Sequence, residues 1–460
     1  MKPVTLKHRL QNLSPAATLV NFYALAILLA TILLMLPWAA QGTPVGFVDS
    51  LFTITSAMCV TGLTVVDTGS TFSLFGQLVI LGMIQLGGLG ITTFSVYLFF
   101  YVRSGVGLRD RWVINETLVH SPVRSMQDLV RAVIHLTLII EAIGAVCLAL
   151  VFVPQFGWLQ GGYYAVFHAV SAFCNAGFAL FSDNLVSYRN DPIVNLTIMI
   201  LIILGGIGFL VMRELHDIWQ RRRKGQRWRL SLHSKLVLVT SGLLIVVGWL
   251  AILALELGKG TFRDANLGEA LWVTLFQSVT TRTAGFNTID LNALGVPTIF
   301  LMIALMFIGA SPGSTGGGVK TTSLALFMAA LYSRLKGYRV TSVFKRTIPD
   351  ETVNKTFTLF LLAALWIGLM TFLVLVSEIS GSAGSQDHGV LLDYLFEVVS
   401  AFGTVGLSLG VTAKLSVMGK LLITMLMFVG RVGLLTFAFV LVKQAGREGT
   451  EYAEENIMIG

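Results

Sequence analysis

Val60-Thr61-Gly62-Leu63, Asn175-Ala176-Gly177-Phe178, Thr283-Ala284-Gly285-Phe286 and Thr404-Val405-Gly406-Leu407 are four copies of one pattern, a glycine set beside small or hydroxyl-bearing residues. Each follows a predicted apolar helix of about a dozen residues, over roughly 51–59, 163–173, 270–281 and 391–402. At about 1.5 Å rise per residue such a helix enters a hydrocarbon core of roughly 30 Å but cannot cross it, so the chain must turn back. Backbone left unpaired at membrane depth is tolerated only when buried in protein or lining a watery cavity, and four returning loops are expected to share one cavity. Glycine permits unusual backbone angles and leaves the carbonyls unobstructed. The negative C-terminal ends of the four short helices would favour a cation where they meet. One such glycine is explained by close helix packing. Four in register point to a cation filter.

The composition agrees. The 460 residues are 55% apolar and 12% charged, with a mean hydropathy of +0.79, values that describe a polytopic membrane protein. Eight spans are predicted near 18–38, 75–102, 129–153, 192–216, 235–257, 297–335, 356–378 and 415–442. A cleaved leader competes for residues 1–40, where a charged start and an apolar run precede Ala39 and Ala40, but the run suits an uncleaved span better. The net charge of +8 does not imply nucleic acid, because the basic residues sit between apolar runs. Lys2, Lys7 and Arg9; Arg103, Arg109, Arg111, Arg124 and Arg131; Arg213, Arg221, Arg222, Arg223, Lys224, Arg227, Arg229 and Lys235; Arg334, Lys336, Arg339, Lys345, Arg346 and Lys355; and Lys443 and Arg447 all fall on one predicted side. The other side has only Arg189, Lys259, Arg263, Lys414 and Lys420. Both termini are therefore expected in the cytoplasm, with the pore loops dipping in from outside. Cys59, Cys147 and Cys174 lack metal-ligand spacing and read as small buried hydrophobes.

The fold class expected is an all-α polytopic membrane protein of four tandem span, pore-loop, span repeats around a central pore, parallel and pseudo-fourfold. Its boundaries are a cytoplasmic N-terminus at 1–17, repeat 1 at 18–102, a linker at 103–128, repeat 2 at 129–220, a basic linker at 221–234, repeat 3 at 235–335, a linker at 336–355, repeat 4 at 356–442 and a tail at 443–460.

The sixth span is broken by Gly309-Ala310-Ser311-Pro312-Gly313-Ser314-Thr315-Gly316-Gly317-Gly318, which cannot continue as a regular helix. Non-helical backbone at that depth belongs under the filter, where it would act as a mobile gate; a static kink is the competing reading. Two catalytic motifs nearly fit here. Gly313 to Gly318 followed by Val319, Lys320 and Thr321 misses the contiguous Gly-Lys-Ser/Thr of a phosphate loop and follows no strand. Gly309, Ser311 and Gly313 match G-x-S-x-G, which raises an intramembrane serine protease as a remote alternative, yet only His388 lies downstream. No enzymatic activity is expected. Lys320, Arg282, Arg431 and Glu141 are ionisable at membrane depth, where such groups are costly. Arg431 is expected to hold the gate or raise the barrier to a cation, Arg282 to buttress its loop, and His168 to be a packed core residue.

VTGLTVVDTG at 60–69, QLGGLG at 85–90, SAFCNAGFALFSDN at 171–184, TRTAGFN at 281–287, SAFGTVGLSLG at 400–410 and GRVG at 430–433 carry a whole-chain resemblance to the Ktr branch of the Trk/Ktr/HKT potassium-uptake superfamily. The resemblance implies potassium as substrate, bound by filter carbonyls at Gly62, Gly177, Gly285 and Gly406, with glycine in all four repeats going with potassium preference. It implies sodium as activator or, alternatively, as the co-ion of a sodium-coupled symporter. It also implies a homodimer in the cell membrane on a cytosolic ring of KtrA-like subunits that bind ATP or ADP. The chain itself has no nucleotide-binding pattern and is expected to bind no cofactor. Two positions depart from the family pattern: Cys174 where a polar residue is expected, and Leu434 where proline is expected.

Overall fold

The computed structural model describes residues 15–102, 126–226, 229–259, 262, 266–379 and 390–434. Lys2, Lys7, Arg9, Arg103, Arg109, Arg111, Arg124, Arg227, Arg263, His388, Lys443 and Arg447 lie outside them.

The helices are grouped by the expected repeats. The first repeat holds α1 (Pro15–Leu34), α2 (Phe47–Met58) and α3 (Leu74–Val102). The second holds α4 (Met126–Phe156), α5 (Trp158–Phe173), α6 (Pro192–Ile207) and α7 (Phe209–Arg223). The third holds α8 (Leu232–Glu256), α9 (Leu267–Thr280), α10 (Val296–Phe307) and α11 (Thr321–Leu335). The fourth holds α12 (Asp350–Ile379), α13 (Val390–Gly403) and α14 (Val417–Val432). The short pore helices α2, α5, α9 and α13 begin earlier than the apolar pattern alone indicates. At α9 the cause is a cap, since Asn266 Oδ1 accepts the Glu269 N–H at 2.8 Å. At α5 it is Gly157, whose φ of +81° lets a new helix start directly after α4.

Within each repeat the first span packs on its own pore helix, and the second span packs on the pore helix of the next repeat: α3 on α5, α6 on α9, α10 on α13, and α14 back on α2. This cyclic order brings the ends of the pore helices to one centre. The apolar core follows it, one cluster built mainly from the first two repeats, with Phe276, Val279, Ala284 and Phe286 of the third and Val432 of the fourth, and another mainly from the last two, with Phe52, Cys59, Leu63 and Val65 of the first. Outward faces remain apolar. Leu361, Leu365, Leu369 and Phe372 on α12, and Leu243, Val246, Val247 and Leu250 on α8, are exposed at helical spacing, a surface suited to lipid.

Three segments, Arg131–Phe156, Leu232–Glu256 and Asp350–Glu378, are single helices long and apolar enough to cross a membrane among the described residues. The fourth expected span is different: α6 and α7 meet at 99°. Gly208 makes that turn with φ +97°, and a Cβ there would sit 2.7 Å from the Pro312 carbonyl oxygen. The hydropathy of 192–216 reads as one crossing because a sharp turn at one glycine leaves the apolar count unchanged. The sixth span is interrupted between α10 and α11, as its glycines require. The linker at 336–355 contains a hairpin, Ser342–Val343 paired with Arg346–Thr347, turned by Phe344 and Lys345 at φ +49° and +62°.

Candidate functional site

Each of the four glycine loops starts where its short helix unwinds. Val60, Asn175, Thr283 and Thr404 have φ of +56°, +60°, +64° and +49°, and the glycines two residues later have +95°, +68°, +73° and +90°. A left-handed conformation costs a non-glycine residue roughly 1–2 kcal/mol, so its recurrence in four different sequences marks one shared backbone shape. Successive residues of a regular strand face opposite sides. Alternating the sign of φ removes that alternation and lets the carbonyls of one loop line up on one side.

The four glycines close on one another in chain order. A Cβ on Gly62 would lie 2.5 Å from the Ala176 carbonyl oxygen and 3.1 Å from Gly177 Cα. One on Gly177 would lie 2.8 Å from both the Ala284 oxygen and Gly285 Cα, and one on Gly285 2.6 Å from the Val405 oxygen and 3.3 Å from Gly406 Cα. On Gly406 it would strike the Thr61 oxygen and lie 2.9 Å from Gly62 Cα. Any side chain here would occupy the space of the neighbouring loop. The residues between, Thr61, Ala176, Ala284 and Val405, are fully buried, and Leu63, Phe178, Phe286 and Leu407 pack into the core behind.

Four hydroxyls absent from the sequence-based candidates tie these loops to their helices. Ser56 and Ser400 accept the N–H of Gly62 and Gly406, each at 3.1 Å. Ser171 donates to the Phe178 carbonyl at 2.8 Å and Thr280 to the Phe286 carbonyl at 2.5 Å. Their signal in the sequence is a Ser or Thr six residues before the glycine in repeats one, two and four, and five before it in repeat three.

The Gly-rich loop lies against the start of the glycine loops. Gly317 N–H donates to Thr404 Oγ1 at 3.0 Å, and Thr315 Oγ1 donates to the Phe173 carbonyl at 3.2 Å. A Cβ on Gly316 would strike Thr283 Oγ1. On its other side, Ser311 and Thr315 N–H donate to the carbonyls of Gly206 and Gly205 at 3.0 and 3.2 Å, and Phe209 N–H donates to the Gly313 carbonyl at 3.1 Å. The loop closes on itself through Gly309 N–H to the Val319 carbonyl at 2.8 Å, while Ala310 and Ser314 are enclosed.

Three cations surround this loop. Arg431 donates to the carbonyls of Thr315 and Gly87. Arg282 Nη2 donates to the Gly309 carbonyl at 3.0 Å, so it buttresses the Gly-rich loop as well as standing next to Thr283. Lys320 Nζ donates to the Gly316 and Gly317 carbonyls at 2.8 and 3.3 Å. Among the described residues Ser311 Oγ meets other hydroxyls, Thr321 Oγ1 at 2.9 Å and Ser241 Oγ at 3.5 Å, instead of the histidine a serine nucleophile needs.

Behind the second loop, Cys174 is buried with Sγ 3.6 Å from Gln85 Oε1 and 3.8 Å from Glu141 Oε1. Gln85 Nε2 also donates to Glu141 Oε2 at 3.2 Å, which gives Glu141 its partners. Cys59 is likewise buried, whereas Cys147 is only half-buried, contrary to the expectation for all three. Asn175 satisfies both ends of its amide when the nitrogen donates to the Ile202 and Ala172 carbonyls, 3.2 Å each. His168 is a packed core residue, with Nδ1 2.7 Å from the Tyr164 carbonyl and its ring stacked on Phe181.

The family model for TrkH, a cation transport protein, matches residues 6–448. The chain belongs to the TrkH family. This TrkH-family chain is 39% identical over 431 residues to Ktr system potassium uptake protein B of Bacillus subtilis (strain 168), covering 94% of this chain and 93% of that protein. It is 36% identical over 454 residues to the potassium/sodium uptake protein NtpJ of Enterococcus hirae, covering 98% of each. Its fold is similar to the crystal structure of the potassium transporter TrkH from Vibrio parahaemolyticus, with a TM-score of 0.72 at 18% identity over 96% of this chain and 87% of that one. As a TrkH-family member it is a membrane transport protein and not an enzyme.

Proposed function

We propose that this TrkH-family chain takes up potassium across the cell membrane through a column of backbone carbonyls contributed by the loops at Gly62, Gly177, Gly285 and Gly406. The observation that carries this reading is the closed order of those four glycines, each occupying the space a side chain of its neighbour would need. Carbonyl oxygens arranged in this way replace the hydration shell of a monovalent cation. The names of the similar proteins, a potassium uptake protein and a potassium/sodium uptake protein, support the choice of ion.

The loop 309–318 is the gate in this reading. Its bonds to Thr404 and Phe173 support a position directly against the filter, and Arg431, Arg282 and Lys320 hold it there. The chain works as a homodimer on a cytosolic nucleotide-binding ring, with ATP or ADP bound by that partner and both termini facing it. The three basic residues ending α7, Arg221, Arg222 and Arg223, supply part of the inner face on which the ring would dock. Sodium enters as an activator, with coupled symport as the second mechanism, and the name of the Enterococcus hirae relative is what favours including it.

The test is radiotracer potassium uptake in a cell lacking its own uptake systems, with Gly285→Ser as the paired variant. Uptake by the parent chain and a loss of potassium preference in the variant are expected. Uptake whose ion preference is untouched by Gly285→Ser removes the filter from the mechanism. Measuring rates with and without sodium, and sodium movement per potassium, separates activation from coupling.

A further inference from the structure

One turn before each filter hydroxyl, on the same face of the pore helix, stands a second polar side chain: Thr53, His168, Gln277 and Glu397, each three residues ahead of Ser56, Ser171, Thr280 and Ser400. All four are buried. Burying an amide, an imidazole or a carboxyl at membrane depth is costly unless it is hydrogen-bonded, so partners are expected. Three of them find those partners in the strand that leaves their own filter glycine. His168 Nε2 accepts the N–H of Leu180, three residues after Gly177, at 3.3 Å, while Nδ1 faces the Tyr164 carbonyl. Gln277 Nε2 donates to Thr288 Oγ1, three residues after Gly285, at 3.4 Å. Glu397 Oε2 accepts from Ser408 Oγ, two residues after Gly406, at 2.9 Å, and Oε1 accepts from Thr412 Oγ1.

Thr53 differs, its hydroxyl donating to the Asp49 carbonyl within its own helix at 2.8 Å. The three bonded positions also differ in strength. Glu397 engages two hydroxyls, whose oxygens lie 3.0 Å apart. Gln277 has one long bond, and its Oε1 has no hydrogen-bond partner among the described residues.

We propose that His168, Gln277 and Glu397 are positioning residues for ion selection, which hold the outgoing strands of three filter loops at the spacing that suits potassium. The inference rests on the filter reading above. A loop free to shift by a few tenths of an ångström adapts to a smaller ion, so loosening these bonds lowers discrimination before it lowers transport. Glu397 has the largest share because its two hydroxyl bonds span five residues of the outgoing segment, Ser408 to Thr412.

The test is potassium and sodium uptake by the full chain in uptake-deficient cells, normalised to protein in the membrane, for Glu397→Ala, Glu397→Gln, Gln277→Met and Gly285→Ser. Removing bonds of this kind is expected to lower the potassium-over-sodium preference about tenfold in Glu397→Ala, whereas Glu397→Gln, which keeps an acceptor, stays within about threefold of the parent. Gln277→Met is expected to give the smaller change. A purely structural role would lower membrane level and both ions together without moving their ratio. If Glu397→Ala does not reach the membrane, the double variant Ser408→Ala/Thr412→Val removes the same bonds from the other end and decides. An unchanged ratio in the Glu397 or Ser408/Thr412 variants, with Gly285→Ser changed, overturns the positioning role and leaves the filter. An unchanged ratio in Gly285→Ser overturns both.

Discussion

Arg431 Nη1 donates to the backbone carbonyl of Thr315, joining the last described helix to the middle of the Gly-rich loop across 116 residues of sequence. The other terminal nitrogen donates to the Gly87 carbonyl of α3. One guanidinium therefore ties the loop to the second spans of two repeats that flank the first pore helix. Hydrogen bonds of this charge-assisted type are among the strongest available in a buried site.

Arg431→Gln loses at least one of these bonds, each worth roughly 1.5–3 kcal/mol. With the loop less firmly held, the initial rate of potassium uptake is expected to rise by about tenfold and to depend less on the cytosolic regulator. Equal rates in parent and variant, with equal dependence on the regulator, would exclude a holding role.

Gly285→Ala combines a strained φ of +73° with a Cβ 2.6 Å from the Val405 oxygen. The backbone strain alone costs about 1–2 kcal/mol, and the carbonyl must also move away from the axis. Potassium uptake is expected to fall at least tenfold, roughly what that strain implies, while the chain still reaches the membrane. Competition of sodium against labelled potassium reads the accompanying loss of preference.

Thr404→Val keeps the shape of the side chain but removes the acceptor for Gly317 N–H, a bond of 3.0 Å. Leaving that buried donor unpaired costs about 1–3 kcal/mol in the seated position of the loop. Faster uptake at unchanged ion preference is expected. A slower variant would mean that Thr404 serves the filter more than the loop.

Ser56→Ala and Ser400→Ala strip the acceptors from the N–H groups of Gly62 and Gly406. Each orphaned donor costs about 1–3 kcal/mol, and the penalty is expected to fall on the arrangement that binds the ion. In detergent, the rise of the thermal midpoint with added potassium should be smaller in the double variant than in the parent. An identical potassium dependence would show that these hydroxyls stabilise the fold without shaping the ion site.

Gly208→Ala tests the bend between α6 and α7. With φ +97° and the Pro312 carbonyl oxygen 2.7 Å from the added Cβ, at least about 1–2 kcal/mol of stability should be lost. A lower thermal midpoint is expected, together with altered uptake, because Phe209 N–H holds the Gly313 carbonyl at 3.1 Å on the far side of the turn.

The amino-acid sequence by itself determined that the chain is a helical membrane protein, where its short pore helices end, which glycines follow them and where the sixth span must break. Those properties are local: apolar runs, helix length against bilayer thickness, and the backbone freedom of glycine and rigidity of proline are all properties of a few neighbouring residues. Only the tertiary structure decided that Gly62 meets Gly177 and Gly406 meets Gly62, that Arg431 reaches Gly87 across 344 residues, and that α6 and α7 meet at 99° about Gly208. Ser56, Ser171, Thr280 and Ser400 stand between the two cases. Their spacing is written in the sequence, but a hydroxyl in an apolar helix ordinarily bonds to its own preceding turn, as Thr53 does. That they bond to the glycine loops depends on a backbone that leaves the helix in the left-handed region and returns past them, a path set by three neighbouring loops packing around one centre.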